Sequence, residues 1–277
     1  MRKDRHLGFY ITNIGLTVLF LAPFYWALIS SLKPYNEILK YPPSFFPTHI
    51  SIESYKDLFT AGEGVFVFFA KNSLIVSSLT IFVVCLISIP AGYAFSKLKF
   101  PGINILFLAV LSIIMVPFQA LLIPLYTLIH QMKLLDTHLA LILIYSTFFM
   151  PFGVFMMRNS FDSIPNSIRE SALIDGASEL KVMIQIFLPL AWPGIVTTII
   201  YVFMQSWNDF IIALIFTSSK SAITLQVGLM NFATARFYMN WGMINAGSII
   251  AMLPILILFI VLQKYFIKGM LAGAIKE

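Results

Sequence analysis

The chain has 277 residues, of which 59% are hydrophobic and 11% charged, with a net charge of +6 and a mean hydropathy of +0.90. Soluble domains carry about 25% charged residues, so this composition excludes a water-covered surface and makes lipid the solvent over most of the protein. One cysteine, Cys85, excludes an internal disulfide, a zinc cluster and a thiol relay.

A span needs about 20 apolar residues to cross roughly 30 Å of hydrocarbon. Charges are sparse enough to punctuate the chain, and the uncharged runs between them predict six helices, at about 9–32, 72–95, 103–129, 138–158, 192–216 and 244–267. Together they make an all-α polytopic membrane protein, with one transmembrane domain over 1–277. Strands of a membrane barrel alternate over about 10 residues; these runs do not. The first run opens on Arg2, Lys3 and Arg5, as a signal peptide does, but its core from Leu7 to Leu32 is too long and no small-x-small cleavage site closes it. A retained span is expected.

Lysine and arginine bias near span ends sets orientation. With the N-terminus inside, Arg2, Lys3, Arg5, Lys97, Lys99, Arg158, Arg169, Lys181, Lys264, Lys268 and Lys276 lie on the inner face. Lys33, Lys40, Lys56, Lys71, Lys133, Lys220 and Arg236 lie outside. The basic surplus is thus explained by span flanks rather than by nucleic acid. Both termini and segment 159–191 are placed in the cytoplasm. Two outer segments are long, 33–71 with KYPPSFFP at 40–47 and 217–243 with Trp241. Pro90, Pro117, Pro124, Pro151 and Pro254 predict kinks inside spans.

Segment 159–191 is the polar exception. RESALIDGASELKVMIQIFLPLAW (169–192) holds five charges, Arg169, Glu170, Asp175, Glu179 and Lys181. Pro165 suits the first turn of a helix, and Ser167 with Glu170 has the spacing of a capping box. Gly176 suits the left-handed residue that closes a helix. Ser178 is placed to cap a second helix over about 179–188, and Pro189 and Pro193 mark the step into the fifth span. Ala172 and Gly176, four apart, offer small residues for close approach of another backbone. The segment reads as a compact helical knob suited to docking on a soluble partner.

Reactive chemistry is absent from the motifs. There is no G-x-x-x-x-G-K-[ST] phosphate loop. His6, His49, His130 and His138 form no metal-ligand spacing, and no Ser/His/Asp set assembles. No catalytic residue and no metal site are predicted. Among acids, only Asp209 falls well inside a span, whereas ion-coupled transporters usually need such carboxylates. The energy for any transport therefore comes from elsewhere.

In the knob, the pattern E-x-A-x-x-x-G, nine residues, then I-x-L-P resembles the EAA motif of ABC-importer permeases. It is carried by Glu170, Ser171, Ala172, Gly176, Ile186, Leu188 and Pro189, with Ser171 where the family usually has alanine. SSLKP (30–34), AGYAFSKLKFPG (91–102), ALLIPLY (120–126), PFGVFMMRNSF (151–161), WNDF (207–210) and GMLAGAIKE (269–277) extend the likeness. Over nearly its whole length the chain is similar to the MalG-like permeases of carbohydrate importers.

That resemblance implies a cytoplasmic coupling helix in the knob. It implies a second, MalF-like permease, two copies of an ATPase subunit and an extracellular or periplasmic solute-binding protein. ATP and Mg belong to the ATPase subunits, with no cofactor in this chain, and the setting is a bacterial or archaeal cytoplasmic membrane. Glu170 is expected to contact the ATPase near basic groups. Asp175 is a local cap or a partner contact. Trp207, Asn208 and Asp209 either contact sugar or hold neighbouring helices. The tail is a free end or lies along the ATPase. Three alternatives remain: a similar importer for a polyol, glycerol phosphate or an oligosaccharide acid, an ion-coupled transporter, and a membrane scaffold.

Overall fold

The structure is a computed structural model that describes residues 2–234 and 240–274. Arg236, Lys276 and the last three residues of the tail, all used in the sequence reading, lie outside the described residues. Among the described residues the regular structure is helical, with no strand.

The helices in chain order are α1 (Arg2–Ser31), α2 (Tyr35–Ile38), α3 (Glu53–Thr60), α4 (Val65–Lys97), α5 (Ile103–Met115, whose last turn is 3₁₀) and α6 (Phe118–Gln131). Then come α7 (His138–Asp162), α8 (Asn166–Ile174), α9 (Glu179–Leu190), α10 (Trp192–Asn208), α11 (Ile211–Phe216), α12 (Leu225–Thr234) and α13 (Trp241–Ala274). Segments Gly8–Ser31, Val65–Lys97, His138–Asp162 and Trp241–Gln263 are each long and apolar enough to cross a bilayer. Two bent pairs bring the number to as many as six, if each is one span.

One of the bent pairs, α5 with α6, corrects the sequence expectation. The run expected as one helix over 103–129 breaks between α5 and α6 with a 96° bend. Val116 is extended there (φ −78°, ψ 118°) and Pro117 begins the next helix. Proline removes an N–H and disfavours helical backbone in the residue before it, so the break falls at Val116. The run expected over 192–216 ends as a helix at Asn208, and Asp209 turns extended (φ −65°, ψ 133°) before α11. A further bend, of 77°, separates α9 from α10.

Two compact units can be distinguished, Met1–Phe68 with Val227–Pro254 and Phe69–Gln226 with Ile255–Glu277. In the first, α1 is exposed along most of its length, as a lipid-facing helix would be. Its polar residues satisfy themselves on their own backbone: Thr12 and Asn13 donate to the carbonyls of Gly8 and Phe9. The loop after α2 is organised on buried Glu37. The carboxylate accepts from the Ser44 hydroxyl (2.7 Å), the Thr48 hydroxyl (2.8 Å) and the Thr48 N–H. The Ser44 hydroxyl foremost, then the Thr48 donors, outweigh burial and hold this carboxyl below its ordinary value.

In the second unit α4 and α7 meet through small residues. A Cβ on Gly92 would stand 2.5 Å from Met157 Cβ and 2.8 Å from the Arg158 nitrogen, so only glycine allows this approach. Around that contact lies a core of Tyr93, Met157, Phe161, Ile164, Val182 and Phe187, with Tyr93 edge-on to both Phe161 and Phe187. Val182 and Phe187 belong to α9, so the knob is built on this core.

Candidate functional site

The knob is a helical hairpin. Pro165 (φ −58°, ψ 139°) stands at the N-cap and α8 starts at Asn166. Ser167 is therefore already inside the helix, and the expected capping box with Glu170 does not form; no side chain caps this end. At the other end the N–H groups of Asp175, Gly176 and Ala177 donate to the carbonyls of Ser171, Leu173 and Ala172, each at 3.0 Å. Gly176 takes φ +85°, the left-handed closure its position calls for. The Ser178 hydroxyl accepts from the Lys181 N–H and caps α9, again in line with the sequence. A π turn over Met183–Phe187 sits inside α9.

The residues of the motif divide between the two faces of this hairpin. Glu170, Ser171, Asp175, Gly176 and Pro189 are exposed. Ala172, Ile186 and Leu188 are half-buried and pack on the core described above. Ala172 and Gly176 do not share a helix face, because Gly176 lies past the end of α8; Ala172 supports the knob from inside. On the free face stand Ile174, 86% exposed, and Leu180, 63% exposed, among the acids Glu170 and Asp175.

A polar clamp that sequence reasoning missed holds the arms at a fixed angle. Arg169 on α8 grips the Glu179 carboxylate on α9 with both Nε and a terminal nitrogen. Tyr93 of α4 donates its hydroxyl to Glu179 Oε2 at 2.8 Å. The Arg169 hydrogen bonds, ahead of burial and of the Tyr93 hydroxyl, hold the Glu179 carboxyl below its ordinary value. Nearby, Lys97 is buried and donates to the Ile164 carbonyl (2.6 Å) and Asn166 Oδ1 (3.0 Å), which ties the end of α4 to the start of α8. Opposite charges on the two sides of a glycine corner were the available sequence signal for Arg169 and Glu179. By sequence Lys97 is only a flanking charge.

The second candidate set separates. Trp207 is buried and stacks on Phe203 at 5.3 Å, away from any open surface. Asp209 Oδ1 accepts from the Tyr145 hydroxyl (2.7 Å) and the Ala213 N–H (3.1 Å), so it ties α7 to α10 and starts α11. Asn208 and Asp209 line an open cleft of ≈ 440 Å³ that also touches α5, α6 and α7. Among the described residues no three His, Cys, Asp or Glu gather as they would around a metal.

Long apolar helices and a polar hairpin seated on their core define a multi-pass membrane transport component. The chain belongs to the family described as "Binding-protein-dependent transport system inner membrane component", which matches residues 86–272. It is 33% identical to the inner membrane ABC transporter permease protein YcjP of Escherichia coli strain K12, over 99% of this chain and 98% of that one. It is 34% identical to the arabinooligosaccharides transport system permease protein AraQ of Bacillus subtilis strain 168, over 94% and 92% of the two chains. The trehalose/maltose transport system permease protein MalG of Thermococcus litoralis is 31% identical, over 100% and 99%. In fold the chain is similar to one from a crystal structure of a bacterial ABC transporter importing the acidic polysaccharide alginate. The TM-score is 0.83 at 22% identity, covering 96% of this chain and 98% of that one.

Proposed function

We propose that residues 1–277 act as one six-span permease domain of an ATP-driven, binding-protein-dependent carbohydrate importer. Its spans are the six sequence runs, the third being the bent pair α5–α6 and the fifth starting at α10, and both termini and segment 159–191 lie in the cytoplasm. The chain pairs with a second, MalF-like permease. ATP and Mg act in two ATPase subunits. A loaded solute-binding protein docks on the outer segments 33–71 and 217–243. Relatives named for arabinooligosaccharides, diacetylchitobiose and trehalose support the substrate class.

The observation that carries the mechanism is the clamped hairpin. Rigid coupling needs an element that cannot fold away from the spans when it is pushed. The Arg169–Glu179–Tyr93 contacts and the seat of Ala172, Ile186 and Leu188 supply that stiffness. Glu170, Ser171, Asp175 and Gly176 present the outward face to the ATPase, and Pro189 ends the lever at the step into α10. Closure of the ATPase dimer on ATP moves the hairpin and turns the permease pair outward, where it receives sugar. Hydrolysis resets it. ATP shifts these states only by its differential affinity for them.

The test is purification of the chain from native membranes in mild detergent, with its partners identified by mass spectrometry. An ATPase and a second permease are expected with the wild-type chain, and loss of the ATPase with Glu170→Lys. Recovery of the chain alone would reject the assembly.

A further inference from the structure

The cleft beside α10 carries chemistry that a lipid-facing groove would not keep. Tyr201, Gln205 and Asn208 line it at i, i+4 and i+7, one face of a single helix. Gln119, in the first turn of α6, lines it from another side. Among the described residues, the side-chain amides of Gln119 and Gln205 have no hydrogen-bond partner, and both residues are exposed. An unpaired amide in hydrocarbon is costly. These amides therefore face a watered path or a ligand.

The apolar part of the wall is aromatic. The rings of Phe152 and Tyr201 stack with centroids 3.8 Å apart, both half-buried and both on the cleft. Flat aromatic faces suit the C–H faces of a sugar ring, and amides offer both donors and acceptors to its hydroxyls. A volume of ≈ 440 Å³ lies within the range of small-molecule sites, about 300–1,000 Å³. The lining includes no Lys, Arg or His, and its one carboxylate is Asp209, whose Oδ1 is already engaged by Tyr145 and Ala213. An anionic sugar would find no cation here.

From this juxtaposition we infer that the chain itself contributes a carbohydrate subsite to the transport path, and that the subsite takes neutral rather than acidic sugars. Phe152 and Tyr201 form the stacking wall, and Gln119, Gln205 and Asn208 supply the polar contacts. The inference rests on the importer reading above and adds which subunit touches the sugar and of what charge.

Thiol protection in the intact complex tests it. Cys85 is replaced by Ala, and Gln205→Cys is introduced as a reporter, with Met132→Cys, a 51% exposed position past the end of the third span and not on the cleft, as the control. Labelling by a charged thiol reagent is followed in native membranes with maltose, trehalose, diacetylchitobiose, arabinotriose or an alginate oligosaccharide. Uptake of each sugar by the wild-type complex is measured separately. A neutral sugar that is taken up should slow labelling of Gln205→Cys by about tenfold at ten times its half-protecting concentration. It should leave Met132→Cys unchanged, and the alginate oligosaccharide should protect neither. Equal protection by alginate oligosaccharide, equal slowing at both positions, or no protection by a transported sugar would overturn the subsite while leaving the importer reading intact. A Gln205→Cys that does not label would also overturn it, because another chain then covers the cleft. A wild-type complex that takes up none of the sugars would remove the importer reading and the subsite together.

Discussion

Arg169 and Glu179 lie ten residues apart on opposite sides of a glycine corner, and the guanidinium of one grips the carboxylate of the other through two nitrogens. The pair converts two short helices, neither stable alone at this length, into one lever. Its side chains are 22% and 41% exposed, so water screens the pair and its contribution to global stability is small, about 0.5–1 kcal/mol. Under the proposed lever mechanism its expected contribution to coupling is larger. Arg169→Ala should shift the thermal midpoint only slightly yet lower ATP-driven uptake by roughly 2- to 30-fold, the span of 0.5–2 kcal/mol of coupling. Arg169→Lys keeps the charge but loses the fork and should fall between. Uptake and melting measured on the same preparations decide this; equal uptake in Arg169→Ala would remove the clamp from the mechanism.

The same pair has a pH signature. The Glu179 carboxyl titrates below its ordinary value of 4.5 in the folded protein because Arg169 holds the charged form. Its stabilisation is therefore fully present above that value and is lost as the pH falls through the lower, folded value. Protection factors of the 166–190 amides, taken against the intrinsic exchange rate at each pH, should fall in acid below about pH 4.5 in the wild type, and this added step should vanish in Glu179→Gln.

Gly176 can be tested apart from any partner. Its φ of +85° strains any side chain, although a Cβ there would meet nothing within 4 Å. Gly176→Ala should therefore cost about 1–2 kcal/mol through the backbone alone, and Gly176→Asn less, because asparagine tolerates this region. Local hydrogen exchange at Asp175–Ser178 is the readout. Equal protection in all three proteins would mean that the corner relaxes freely.

Lys97 is a buried lysine, two of whose three donors go to Ile164 and Asn166. Lys97→Met preserves the packing of the stem but leaves the Ile164 carbonyl unpaired, at a cost of about 1–3 kcal/mol. Thermal unfolding of the purified complex should show it as a lowered midpoint. A midpoint at or above that of the wild type would mean that burying this charge costs more than its contacts return.

Much of this architecture can be read without coordinates, because charges interrupt the apolar runs at the span ends and because Gly176 and Ser178 have strong local preferences. What could not be read depends on where the chain returns. Pro117 inside an apolar run predicts a kink, but a 96° turn is set by what α5 and α6 pack against. The end of α10 at Asn208 has no proline or glycine to announce it; Asp209 stops the helix by accepting from Tyr145, 64 residues earlier in the chain. Ser167 and Glu170 match a capping box in spacing, yet Pro165 starts α8 too early for the box to close. Trp207 looks like a sugar ligand by type and is a core residue by burial, a distinction that only packing draws.

The most direct test of the central claim is sugar uptake into proteoliposomes holding the purified complex, with its solute-binding protein outside and ATP inside. The account predicts uptake that requires both the binding protein and ATP and that collapses in Glu170→Lys while the spans stay folded. Uptake by the chain alone, without ATP and driven by an ion gradient, would contradict it.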